Sequence, residues 1–194
     1  MSKESIIAFS QAKAEPLWLQ DLRQAAFDKL DSLALPKIER VKFHRWNLGD
    51  GTIAENESSA NVPDFTALGN NPKLVQVGTN TVLEQLPSDL INQGLVFTDL
   101  ATALEEIPEV VESFFGKAVA YDEDNNYAYF NSAAVLYVPD NVEIDLPVES
   151  YFYQDGDSSV PFNKHVLIVA GKNSKLTYLE RFETLGESTE KASA

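Results

Sequence analysis

Two stretches near the end of the chain share one plan, and that repetition constrains the fold more than any other feature. Leu136-Tyr137-Val138 reads as strand, Pro139-Asp140-Asn141 as a turn, and Val142 to Leu146 as an alternating strand. Leu167 to Leu179 repeats the scheme around Gly171-Lys172-Asn173, with Val138 and Val169 lying 31 positions apart. Strand–turn–strand units at this spacing predict coils of a β-solenoid or the facing strands of a jelly roll. After Phe182 the sequence turns polar, with nothing that reads as the polar cap a solenoid needs at its end.

Upstream the pattern changes period. Leu19, Leu22, Ala26, Leu30 and Leu33 recur at steps of three and four, which predicts an amphipathic helix of about 18 residues from Pro16 to the stop at Pro36. Asp21, Arg23, Gln24, Asp28 and Lys29 are assigned to its wet side. Beyond it, Arg40 to Trp46 alternates basic and aromatic residues, and Gly49 to Ala60 is a polar loop. Leu74–Val77 and Leu95–Phe97 read as short strands. Asp99 suits the N-cap of a helix through Ala103 and Leu104, and Pro108 and Gly116 bracket a second helix, Glu109 to Phe115. Three segments follow: 1–45 with the helix and the basic-aromatic arm, a mixed α/β region 46–120, and a β region 121–194.

Charge divides along similar lines. The chain has 194 residues, a net charge of −15, two histidines and no cysteine. Residues 1–45 carry +2, 46–163 carry −18 and 164–194 carry +1. Such an acidic middle argues against binding a phosphate backbone, and the few bases of Arg40–Trp46 are a poor nucleic-acid footprint. Without cysteine the chain has neither disulfides nor a thiolate site for zinc or an iron–sulfur cluster. The apolar run Ile6–Phe9 is too short for a signal peptide, and no window approaches the roughly 18 apolar residues of a membrane span. A cytoplasmic protein is the expectation.

Catalytic patterns are equally sparse. His44 and His165 lie 121 positions apart and in no metal-binding spacing, so each reads as a polar strand histidine. No nucleophile elbow or glycine-rich phosphate loop occurs. Asp122-Glu123-Asp124 and Asp155-Gly156-Asp157 are carboxylate pairs of the kind glycosidases use at about 5–9 Å separation, but residues 118–163 hold no Lys or Arg to grip an anionic sugar. Turn chemistry accounts for both clusters and for Asp140-Asn141. All seven tyrosines fall between Tyr121 and Tyr178, as strand-face packing or a protein-contact surface. No catalytic, cofactor-binding or metal-ligating residue is assigned.

A series of segments occurs in order along the chain: Glu15-Pro16-Leu17-Trp18-Leu19, Leu35-Pro36 with Lys42–Trp46, Gly94–Leu100 running into Pro108–Lys117, Asn131–Pro139, Val142–Pro147, Val160–Val169 and Leu176–Glu180. Together they resemble the SufB/SufD family of the SUF iron–sulfur assembly system. The helical opening resembles the SufD-like branch more than SufB. The resemblance implies an α+β fold, in which an N-terminal helical, mixed α/β region leads into the first coils of a right-handed parallel β-helix. It also implies a non-catalytic scaffold role beside an ABC-type ATPase and a SufB-like subunit, with the iron–sulfur cluster held in the assembled complex. Against the family pattern the chain stops inside the β-helix, before the C-terminal domain that docks the ATPase, so it is expected to be an N-terminal fragment of a longer protein. No family site residue carries over. Self-association through the uncovered solenoid edge is expected. The alternative is a glycan-binding or glycan-cleaving solenoid protein using its turn carboxylates.

Overall fold

The computed structural model describes residues 2–32, 39–40, 42, 53–55, 64–65, 69–117, 126–156, 158–160, 162–186 and 192–193. Two helices open it, α1 (Lys3–Ala12) and α2 (Leu17–Lys29), the second tightening into a 3-10 turn at Leu30–Ser32. Strands β1 (Lys73–Val77), β2 (Asn80–Gln85) and β3 (Val96–Asp99) follow, with α3 (Ser88–Asn92) between the last two. Next come α4 (Leu100–Glu106), α5 (Pro108–Phe114) and α6 (Asn126–Tyr129). The chain then runs through β4 (Ser132–Val138), β5 (Val148–Asp155), β6 (Phe162–Ala170), β7 (Tyr178–Leu185) and the short β8 (Ala192–Ser193).

Among the described residues the strands form two four-stranded sheets, ordered β2-β1-β5-β7 and β3-β4-β6-β8. Both are mixed. The two strand–turn–strand units do stack in parallel, β4 on β6 and β5 on β7. Each sheet, however, also takes an antiparallel strand from residues 73–99: β2 folds back on β1 through the Gly78-Thr79 turn, and β3 runs against β4. The expected right-handed parallel β-helix is therefore not formed. Two repeats were too few to define an array, and the strands upstream impose the opposite direction on both sheets.

Alternation along the strands sets the layers. Ala134, Leu136 and Val138 of β4 face Leu74, Val148 and Phe152 of the other sheet, and Phe97 and Phe162 complete this inner core. The odd positions Ala133 and Val135, with Leu167 of β6, turn to the other side and pack beneath Leu19, Leu100, Ala103, Val111, Phe115 and Phe130. Helices thus cover one sheet, which is why β4 is buried on both faces. On the far side Val75, Val77, Tyr151 and Tyr153 form their own cluster.

Register refines the repeat. Ser132 lies beside Lys164, an offset of 32 residues, while Val148 lies beside Tyr178, an offset of 30. Val138 consequently pairs with Ala170 rather than with Val169. The turns themselves stack at the offset of 32, and the shortening falls between the Glu143–Lys175 bridge and the start of β5. Asn141 (φ 61°) and Asn173 (φ 58°) both adopt the left-handed region, where asparagine is tolerated, and their side chains meet at 3.2 Å. Gly171 is required here, since a Cβ on it would lie 2.6 Å from the carbonyl carbon of Pro139. Val142–Leu146, expected as a strand, makes only the bridge Glu143–Lys175 before β5 begins.

Candidate functional site

The polar groups gather at one end of the inter-sheet layer, where β1 and β3 finish and β4 begins, under the corner between α1 and α2. That corner is built locally. Ser2 caps α1 by accepting from the Ser5 N–H, and Ala14 at φ 50° reverses the chain so that Glu15-Pro16 can start α2. Glu15 then points back inside. Its carboxylate accepts two bonds from Arg23, from Nε at 2.7 Å and from the terminal nitrogen at 2.6 Å, and a third from the Ser10 hydroxyl. The other terminal nitrogen of Arg23 donates to the Phe130 carbonyl at 2.9 Å, and the guanidinium lies over the Phe130 ring, 3.6 Å from its centroid.

Arg23 is 1% exposed, contrary to its expected place on the wet side of the helix. It lies four residues after Leu19 and so shares the buried stripe; periodicity alone reads a charge there as solvated. This pair ties the helical corner to the strand layer through a single residue, Phe130.

Lys164 is the second buried cation. It sits on β6 between the sheets, its Nζ 2.8 Å from the Ser132 hydroxyl oxygen and 4.1 Å from the Phe152 ring centroid. Burial holds its pKa well below the ordinary lysine value, opposed by the more distant charges of Asp99 and Glu180. Lys73, buried at the start of β1, donates to the Gly69 carbonyl, and its pKa is also lowered by burial, against the pull of Glu149.

A cavity of about 120 Å³ opens beside these groups. Its walls include Phe9, Arg23, Gln76, Asp99, Phe130 and Ser132. Asp99 is held as expected, capping α4 by accepting from the Thr102 N–H at 2.9 Å, and it also accepts from the Thr81 hydroxyl at 2.9 Å. Thr81 in turn accepts from Gln76 Nε2 at 2.9 Å.

The sequence candidates do not converge on this place. His165 stands on β6 with its ring 4.8 Å from Phe115 and 5.0 Å from Tyr127, in an aromatic cluster on the helix-covered face. Asp140 accepts from the Lys172 N–H at 2.6 Å, which is turn chemistry. Asp155 ends β5 and Gly156 begins the turn after it, donating to the Leu185 carbonyl at 2.7 Å. Tyr151 donates to Glu149 at 2.8 Å, and Tyr178 contacts Ser150 and Glu180, its phenol pushed far up by burial. Arg40 and Lys42 are exposed, whereas His44, Trp46, Tyr121, the Asp122-Glu123-Asp124 cluster and Asp157 lie outside the described residues. Among the described residues no three His, Asp or Glu side chains are grouped to hold a metal ion, and no helix is long and apolar enough to cross a membrane.

Comparison with known proteins supplies what the geometry does not. No family model matches the chain. It is similar to the iron–sulfur cluster assembly protein SufD of Bacillus subtilis, 31% identical over 94% of this chain and 45% of that protein. A chloroplastic SufBD family protein of Arabidopsis thaliana is 27% identical over 93% of this chain and 37% of its own length. SufB of Bacillus subtilis is 22% identical over 93% of this chain and 43% of its own length. The chain thus spans less than half the length of each of these curated relatives. Because 94% of the chain matches SufD, and the match to SufD is stronger than that to SufB within one organism, the chain is SufD-like over the part it spans.

Proposed function

We propose that the chain serves iron–sulfur cluster assembly as a non-catalytic scaffold, presenting surfaces to a SufB-like subunit and an ABC-type ATPase in the cytoplasm. The observation that carries this reading is the 31% identity to a cluster assembly protein across 94% of the chain. Two features are consistent with it. The chain has no cysteine, so thiolate ligands for a cluster come from partners or from other sequence. The charged groups in its interior engage one another, hydroxyls, carbonyls and rings, as a rigid framework requires.

Surfaces for partners are present. β7 is the last strand of its sheet among the described residues, and it carries Leu179 and Phe182 at 42% and 47% exposure. An edge of this kind pairs with another strand, from a second copy or from a partner. The test is an affinity-tagged chain co-expressed with the SufB-like protein and ATPase of its own cell. Retention of both through a salt wash is expected; loss of both, with the chain folded, overturns the reading.

A further inference from the structure

Strand β7 is exposed where its neighbour is not. Every residue of β5 is buried, whereas Leu179 to Thr184 of β7 are all exposed, so the strand is open on both faces. The apolar layer between the sheets is open at the same place. Phe182 lies on its inner side, 5.2 Å from the Phe152 ring and 6.5 Å from that of Phe162, yet is 47% exposed. Ile168, in register with the core residue Leu136, is 41% exposed. The chain after β7 does not return to it, because β8 joins the other sheet beside Phe162 and Asn163 of β6. Among the described residues no strand lies beyond β7, which therefore offers an outer row of amides and carbonyls together with half of a core.

The sequence of β7 defines what fits there. Two copies of one strand pair antiparallel about a two-fold axis normal to the sheet. Each residue keeps its own face, one residue meets its own copy at the axis, and the others pair symmetrically about it. Within Tyr178–Leu185 only Phe182 at the axis sets opposite charges against each other. Arg181 then meets Glu183 of the second copy, and Glu183 meets Arg181. Leu179 meets Leu185 on the same face, where Leu185 already packs with Tyr151 and Tyr153, and Arg181 lies 5.4 Å from the Tyr151 ring centroid. On the inner face Phe182 meets Phe182, and Glu180 meets Thr184. An axis at Glu180, Arg181 or Glu183 would instead place that charge against its own copy.

We propose that β7 is the seam of a homodimer, pairing antiparallel with β7 of a second copy about a two-fold axis at Phe182, so that two four-stranded sheets join into one. The proposal rests on the reading of β7 as a pairing edge and names the occupant of that edge. The opposed Phe182 side chains close the open apolar layer of each copy.

Because the chain has no cysteine, single introduced thiols report the register directly. Phe182→Cys should give a disulfide-linked dimer under mild oxidation, since directly opposed Cβ atoms lie about 4.5–5.5 Å apart. Glu180→Cys should not, because an offset of four residues separates the two thiols by about 13 Å along the strand. Charge exchange tests the same register without touching the core. In sedimentation equilibrium of the 194-residue chain, Arg181→Glu and Glu183→Arg should each weaken the dimer at least about tenfold, and the double variant should restore it to within about threefold. A chain that stays monomeric up to about 1 mM overturns the proposal, as does a double variant no stronger than either single one, or cross-linking through position 180 as readily as through 182. Capture of the SufB-like protein and ATPase by a chain shown to be monomeric would overturn the dimer and leave the assembly role standing. A dimer with this register that captures neither supports the seam and counts against the assembly role. Should Phe182→Cys not fold, the charge exchange decides alone.

Discussion

Arg23 and Lys164 are both buried cations, yet the chain surrounds them in opposite ways. Arg23 lies in the helical corner, where it keeps a carboxylate, a carbonyl and a ring face. Lys164 lies between the sheets, where its contacts include a hydroxyl and two rings, and where burial lowers its pKa. The first is an ion pair whose removal strands a partner. The second is a desolvated amine whose charged form weakens the fold. The difference follows from what each layer can supply: a helix–turn–helix corner brings Glu15 and Ser10 alongside α2, whereas the inter-sheet layer is filled by alternating apolar side chains.

The comparison breaks most sharply at the corner. Arg23→Met should cost about 3–5 kcal/mol in urea unfolding, because Glu15 is left charged and buried. Adding Glu15→Gln to that variant should recover at least half of the loss; an additive or larger loss would show that the pair is not the cause. Lys164→Met should act in the other direction, stabilising the chain by about 1–2 kcal/mol near neutral pH.

Its pH dependence sharpens the same point. With the folded pKa lowered from the ordinary 10.5, the unfolded chain binds more protons at Lys164 than the folded one. The lysine's destabilising effect is therefore full below its folded pKa, shrinks as pH rises through the window up to 10.5, and is gone above it. The stability gap between Lys164→Met and the unaltered chain should narrow between pH 7 and pH 10 by chemical denaturation, and a gap that widens would refute the assignment. The smallest effect is expected at the surface: Lys3→Ala, which removes the exposed pair with Asp28 (2.7 Å), should change stability by less than about 0.5–1 kcal/mol and lose that effect at high salt.

Much of the local structure was legible because it depends on near neighbours. Asp99 caps its helix, Pro108 begins α5, Gly116 follows it at φ 73°, and Asp140-Asn141 turns the chain. α2 begins at Leu17, with Pro16 as its cap, and ends at Lys29 before the 3-10 turn Leu30–Ser32, while the expected stop at Pro36 lies outside the described residues. α1 was not anticipated, although Ser2, Glu4 and the spacing of Ile6, Phe9 and Ser10 carry its signal. What periodicity could not show was pairing at long range. It assigned Arg23 to solvent and aligned Val138 with Val169 one residue out of register, while the β-helix that the family resemblance implied is ruled out by the antiparallel strands β2 and β3. The cavity was hidden for the same reason, since Gln76, Asp99 and Ser132 meet only once β3 has paired with β4 and β1 of the other sheet has packed against them. The likeness to SufD was legible because it rests on an ordered series of short segments rather than on any single contact.

The proposed role is tested most directly by removing the chain from its own cell and assaying enzymes that depend on iron–sulfur clusters, with and without the chain restored. A fall in their activity, recovered by the intact chain while protein levels of those enzymes stay constant, is the predicted result. Undiminished activity in cells lacking the chain would contradict it.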